Sequence, residues 1–208
     1  MRKSVVAGAA VGAVAAVGAL IYYLQEKATP GPDYRTLVTD GDLEIRSYPR
    51  IIVAETVVQG PRKEALSQGF EILANYIFAK SRGGEKLPMT VPVLQDSGDP
   101  MASDPPLFDD EIEGAWRMRF VMPEGRSVDD LPDPPEEVEL VAVEPRRVGV
   151  ARFSGTADDD KLNECEDRLR GWLARRGEEV SNEPEYAFYN SPMIPPPLRR
   201  NEVILPLD

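Results

Sequence analysis

Apolar and polar residues alternate with a period of two along several short runs of the chain, the pattern of a strand with one buried face. The clearest run is Leu43-Glu44-Ile45-Arg46-Ser47-Tyr48, followed at once by Ile51 to Val58. Runs at Met89 to Gln95, Trp116 to Met122, Val138 to Val143, Val148 to Phe153, Tyr186 to Tyr189 and Val203 to Leu205 also predict strands. Two longer stretches take the helical period instead. The first runs from Pro61 to Ala79, with Gly60-Pro61 as its start signal. The second runs from Asp158 to Arg176. Asp158, Asp159 and Asp160 suit the positive end of its dipole, and Gly177 suits its stop. Each half of the chain therefore reads strand, strand, glycine, helix, strand, strand. That order predicts an α+β fold of two pseudo-repeated ββαββ halves, with two helices on an antiparallel sheet or open barrel.

The two helices differ in how much they must bury. In the second, Leu162, Cys165, Leu169, Trp172 and Leu173 form one stripe and most other positions are charged, as in a helix packed on a sheet with its back in water. The first carries a similar stripe of Leu66, Phe70, Leu73 and Ile77. Ala65, Gly69, Ile72 and Tyr76 extend it on one side, and Ala74 and Phe78 on the other. The apolar arc then covers roughly 200°, more than one sheet can bury. Either loops cover its flank or a ligand groove does.

Ahead of these elements, Ser4 to Leu24 carries no charge and is long enough to cross a bilayer as a helix. Tyr22 and Tyr23 close it like interfacial aromatics. A cleaved signal peptide is the competing reading, but Glu26-Lys27-Ala28 makes a poor cleavage site. Residues 1–26 are thus expected to be a single transmembrane anchor, residues 27–33 a Pro- and Gly-containing linker, and residues 34–208 one domain. Arg2 and Lys3 precede the span, so the positive-inside rule leaves the domain outside the cytoplasm.

Composition narrows the chemistry. Acidic residues outnumber Lys and Arg by 36 to 24, a net charge of -12 that argues against a nucleic-acid partner. Asp96 to Glu113 holds seven acids and no base, but without the spacing of a calcium loop it reads as solvated. The single cysteine, Cys165, excludes an intramolecular disulfide, and its place on the helical stripe reads as a buried thiol. The chain has no histidine. This excludes His-based metal sites, Ser-His and Cys-His nucleophile pairs, and histidine ligation of haem iron. No phosphate loop, dinucleotide fingerprint, nucleophile elbow or metal-ligand cluster is present.

Several segments resemble one family. Leu43 to Pro49 looks like the opening element of the SOUL haem-binding proteins, and Lys86-Leu87-Pro88-Met89-Thr90-Val91-Pro92-Val93 is similar to their Met-Thr-x-Pro-Val element. Trp116 to Pro123, Arg147 to Gly155, Tyr189-Asn190-Ser191-Pro192-Met193 and Arg199-Arg200-Asn201-Glu202-Val203 resemble further family elements, in the family's order. The resemblance implies a distorted antiparallel β-barrel of two similar halves. It also implies non-covalent binding of haem or another tetrapyrrole, or another flat apolar molecule, in a groove between the first helix and the C-terminal loop. Here those elements offer Phe70, Leu73, Ala74, Ile77 and Phe78, with Met193 and Ile194 opposite.

Some positions depart from the family. Where related haem binders carry basic residues for the propionates, this chain has Ser67, Asn75 and Ile194, with Lys63, Lys80, Arg199 and Arg200 nearby. Any haem would take Met, Tyr or Cys as ligand, with Met193 and Tyr76 as candidates, or no protein ligand. The fold also resembles GyrI-like small-molecule-binding domains, some of which are hydrolases using a cleft Glu and Tyr. On that reading Glu202 is a candidate general base, the alternative being an ion pair with Arg199 or Arg200. A third reading is a non-catalytic interaction module using the Pro-rich loop Pro192 to Pro197.

Overall fold

The computed structural model describes residues 24–25, 27–97, 113–181 and 183–208. All of the expected anchor over residues 1–26 except Leu24 and Gln25, and most of the acidic stretch after Asp96, lie outside these. Among the described residues, no helix is long and apolar enough to cross a membrane. The strands are β1 Arg35–Asp40, β2 Leu43–Tyr48, β3 Ile51–Pro61, β4 Val93–Ser97, β5 Glu113–Val121, β6 Glu139–Val143, β7 Arg146–Phe153, β8 Glu185–Phe188 and β9 Asn201–Leu207. The helices are α1 Arg62–Ile77 and α2 Asp159–Ala174.

All nine strands form one antiparallel sheet in the order β1-β2-β7-β9-β8-β4-β5-β3-β6. Exchanging β2 with β6, β3 with β7, β4 with β8 and β5 with β9 reverses that order and leaves it unchanged, β1 apart. The duplication is therefore real, with its pseudo-twofold at the β4–β8 seam. Each half also lends its first strand to the other. β2 pairs with β7 and β6 pairs with β3.

Two expectations are corrected. β1 was not legible as a strand, because nearly all of it is exposed; the ladder with β2 holds it, together with Val38 against the α2 core and Asp40, which accepts from Trp172 Nε1 at 2.8 Å. The sheet is open rather than a closed barrel. β1 pairs with β2, β6 pairs with β3, and neither finds a second partner among the described residues. The sheet nevertheless curls. Val53, Val148, Val150 and Ile204 point to the face opposite the two helices and are buried there, although no helix among the described residues packs on that face. A third difference is local: Met89 to Pro92 is a loop, and β4 begins only at Val93. Pro92 has no N–H to offer a ladder.

The helices lie on the outer, convex face. Beneath α2, Leu162, Leu169, Trp172 and Leu173 pack on Ile45, Phe153, Tyr186 and Leu205. Gly149 sets the approach, since a Cβ there would lie 2.6 Å from Leu173 Cδ1. Asp158 caps α2 by accepting from the Lys161 N–H at 3.0 Å, and Gly177 ends it at φ 73°. Beneath α1, Leu73, Tyr76 and Ile77 pack on Ala54, Met118 and Phe120. The Leu66–Ile72 flank of its wide arc meets Val58 and Trp116. The opposite flank, at Phe70, stays 45% exposed.

Candidate functional site

Phe70 faces a cleft of about 790 Å³ on the outer face of the sheet, at the seam between the two halves. Val93 and Gln95 of β4 and Phe188 of β8 form its floor. Val93 packs with the α1 core and Phe188 with the α2 core, so the cleft sits where the two cores fail to meet. Phe70 makes one wall, braced edge-on against Phe120 at 5.4 Å between centroids. Thr156 and Ala157, which lead into α2, make the other. The Met89–Val91 loop, the Tyr189–Pro192 loop, Thr29 and Arg199 complete the rim.

These loops are held in place by backbone groups. The Val91 N–H donates to the Pro30 carbonyl at 2.9 Å, and the Gly155 N–H to the Pro196 carbonyl at 2.9 Å. The Thr90 hydroxyl donates to the Val121 carbonyl, and Asn201 Nδ2 to the Gly155 carbonyl at 3.1 Å. Arg199 donates from Nε to the Ile194 carbonyl and from Nη2 to the Pro192 carbonyl, both at 2.7 Å. A cavity of this size, largely apolar with a few fixed polar groups, has the character of a small-molecule site.

The structure separates the residues expected to line a groove. Phe70 lines the cleft. Leu73 and Ile77 instead face the sheet as core residues, and Ala74 is half-buried outside the cleft lining. Phe78 is exposed just past the end of α1, Ile194 is buried, and Met193 projects 80% exposed beside Pro192. The cleft residues that periodicity missed are Met89, Thr90, Val91, Phe188, Tyr189 and Arg199. Their signal lay in the family-like elements: Met89 to Val93 and Tyr189 to Pro192 are remote in sequence and meet across this cleft.

The candidate iron ligands also separate. Tyr76 is fully buried and its hydroxyl donates to the Pro132 carbonyl at 2.7 Å. Cys165 lies in the core under α2, where burial pushes its thiol up. Met89 and Tyr189 line the cleft. Burial and the neighbouring Glu202 carboxylate keep the Tyr189 phenol protonated far above its ordinary range.

Glu202 is fully buried on the inner face of the sheet and is not part of the cleft lining. Its Oε1 accepts from Arg46 Nη2 at 3.0 Å, Arg200 Nε at 3.0 Å and Arg200 Nη2 at 2.7 Å. Its Oε2 accepts from Arg46 Nη1 at 2.9 Å and the Tyr189 hydroxyl at 2.7 Å. Five donors fill the roughly four lone-pair sites of a carboxylate. Burial works to raise this carboxyl, but Arg46 and then Arg200 outweigh it and hold it below the usual range. Arg46, also fully buried, donates its Nε to Glu44 Oε2 at 2.7 Å. The expected partner Arg200 is present, but the main one is Arg46, 156 residues away.

A second buried network lies further along the same inner face. Arg119 pairs with both Asp96 and Glu185, and Arg146 grips Glu185 through two hydrogen bonds at 2.6 and 2.7 Å. Burial would raise the Glu185 carboxyl, yet Arg119 and Arg146 hold it at about 2.

A family model described as SOUL heme-binding protein matches residues 29–206. The C-terminal domain of EcmrR has a similar fold, with a TM-score of 0.56 at 12% identity, covering 84% of this chain and 98% of that one. A hydrolase of Listeria innocua is similar with a TM-score of 0.56 at 14% identity, covering 83% of this chain and 94% of that one. At such identities the likeness is one of fold alone. A search of curated proteins finds no match.

Proposed function

The chain belongs to the SOUL heme-binding protein family, and we propose that it binds haem or another tetrapyrrole in the seam cleft as a carrier or buffer. The observation that carries this reading is the convergence of two remote family-like elements, Met89 to Val93 and Tyr189 to Pro192, on one apolar cavity of about 790 Å³. Such a volume suits a flat macrocycle. Phe70, Val93 and Phe188 would hold its faces, and Arg199, on the rim, would meet an acidic edge. Histidine plays no part. Met89 offers a thioether to iron, while the Tyr189 phenol is committed to Glu202. Bound haem would supply its own colour and redox chemistry, and the protein's contribution is to bind it and keep water from it.

The N-terminal segment Ser4 to Leu24 tethers this carrier to a membrane, with the domain outside the cytoplasm, in keeping with its length, lack of charge and flanking bases. Hydrolysis through Glu202 is the weaker reading. That carboxylate has no lone pair left to take a proton and lies outside the cleft lining. The test is a haemin titration of the full chain in detergent. A saturable Soret shift, lost in Phe70→Glu and Phe188→Glu and kept in Val57→Glu, supports binding in the cleft. No saturable shift, or one that both cleft variants retain, overturns it.

A further inference from the structure

The loop that rims the cleft carries apolar side chains with no role in the fold. Met193 is 80% exposed and Leu198 is half exposed, yet the loop between them is firmly braced. Arg199 holds two of its carbonyls, the Met193 N–H donates to Ser191 Oγ at 3.1 Å, and Ile194 is buried beneath. Two large apolar side chains held outward on one braced loop are available for an apolar contact.

What lies beside that loop identifies the contact. Leu198 lines a depression of about 280 Å³ together with Lys27, Thr29 and Gly31, and Thr29 also lines the main cleft. The charge-free segment ends at Leu24, five residues before Thr29. Five residues span at most about 18 Å even when fully extended. The Ala28 N–H donates to the Leu24 carbonyl at 3.1 Å, which makes the real path shorter. If Ser4 to Leu24 crosses a bilayer, the cleft wall at Thr29 stands close above the headgroups. The local charge agrees. On the loop's other side, Arg152, Lys161, Arg168, Arg199 and Arg200 line a depression of about 520 Å³ with one carboxylate, Asp42, in a chain whose net charge is -12. Arg168 pairs with Asp42, Lys161 with Glu164 and Arg200 with Glu202, and the lining as a whole stays net positive, the sign that meets an anionic headgroup wherever the facing leaflet carries one.

We propose that the 191–198 loop seats on the bilayer surface, with Met193 and Leu198 at the boundary between headgroups and acyl chains. The cleft then opens at the membrane, and its ligand is an amphipathic molecule exchanged with lipid rather than with bulk water. This rests on the membrane-tether reading above.

The test uses the full chain in nanodiscs of anionic phospholipid bearing a nitroxide high on the acyl chain. Tryptophan is introduced singly at Met193, Leu198 and, as a remote control, Arg175. Arg175 lies past the end of α2, about 25 Å of helix axis from the cleft-lining Ala157. Native Trp116 and Trp172 are buried and give a constant background. The expected result is that the emission added by Met193→Trp and Leu198→Trp is quenched, while that added by Arg175→Trp is not. Failure of the chain to insert overturns the tether reading and this inference together. Insertion with all three positions equally unquenched, or with Arg175→Trp quenched most, overturns the seating of the loop alone. Neither result touches the haemin titration, which is done in detergent.

Discussion

The flanks of α1 and α2 occupy equivalent places in a duplicated fold, and only one of them is sealed. Aligning the two buried stripes sets Leu73 against Leu169, Ile77 against Leu173 and Phe70 against Glu166. The first two pairs do the same work, packing a helix onto a sheet. The third pair diverges. Glu166 accepts from Arg170 Nε at 2.7 Å and from the Tyr186 hydroxyl at 3.1 Å, which closes the α2 flank with polar contacts. Phe70 stands edge-on against Phe120 and faces the open cleft. Duplication supplied two similar shelters, and a ligand cleft needs just one left open.

The largest effect expected on the shared scaffold comes from the buried network that ties β2 to β9. Arg46→Met leaves the Glu202 and Glu44 carboxylates with a lost partner in the interior and should cost about 3–5 kcal/mol, read as a lower denaturant midpoint. Leu169→Ala and Leu73→Ala should each cost about 2–5 kcal/mol by opening cavities in sealed cores. Phe70→Ala should cost far less than either by the same measurement, because its side chain is nearly half exposed. If Phe70→Ala proves as damaging as Leu73→Ala, the α1 flank is not an open wall.

The acid limb comes next. Glu185 has a folded-state pKa of about 2, below its ordinary value of 4.5. The stability it contributes is therefore fully present above pH 4.5 and is lost as pH falls toward 2, a contribution on the order of 3 kcal/mol. Glu185→Gln should flatten the fall in melting temperature across that window. Among the substitutions inside sealed cores the smallest effect is expected at Gly149→Ala, where the new methyl meets Leu173. Overpacking there should cost about 1–3 kcal/mol and leave the α1 side unchanged.

Much of the fold was legible because local periodicity reports burial directly. Both helices and most strands followed from it, although Pro61, expected as the first helical residue, is the extended N-cap that ends β3. β1 was not, because a strand exposed on nearly every residue has no alternation to display. The exchange of β2 and β6 between halves was equally hidden, since pairing partners leave no local pattern. For the site, the wide arc of α1 pointed to a flank that the sheet leaves uncovered, and Phe70 there is 45% exposed. Periodicity could not tell which part of the arc faces the sheet, so Leu73 and Ile77 were grouped with Phe70. The dominant partner of Glu202 lay on the other side of the sequence, where no spacing rule reaches.

The central claim is that ligand occupies the seam beside α1 and leaves the equivalent α2 flank untouched. Backbone hydrogen exchange of the full chain, with and without haemin, tests this most directly. Slower exchange confined to residues 89–95 and 188–192, with no change across residues 162–173, is the predicted result. Protection centred on α2, or none at the seam at saturating haemin, would contradict it.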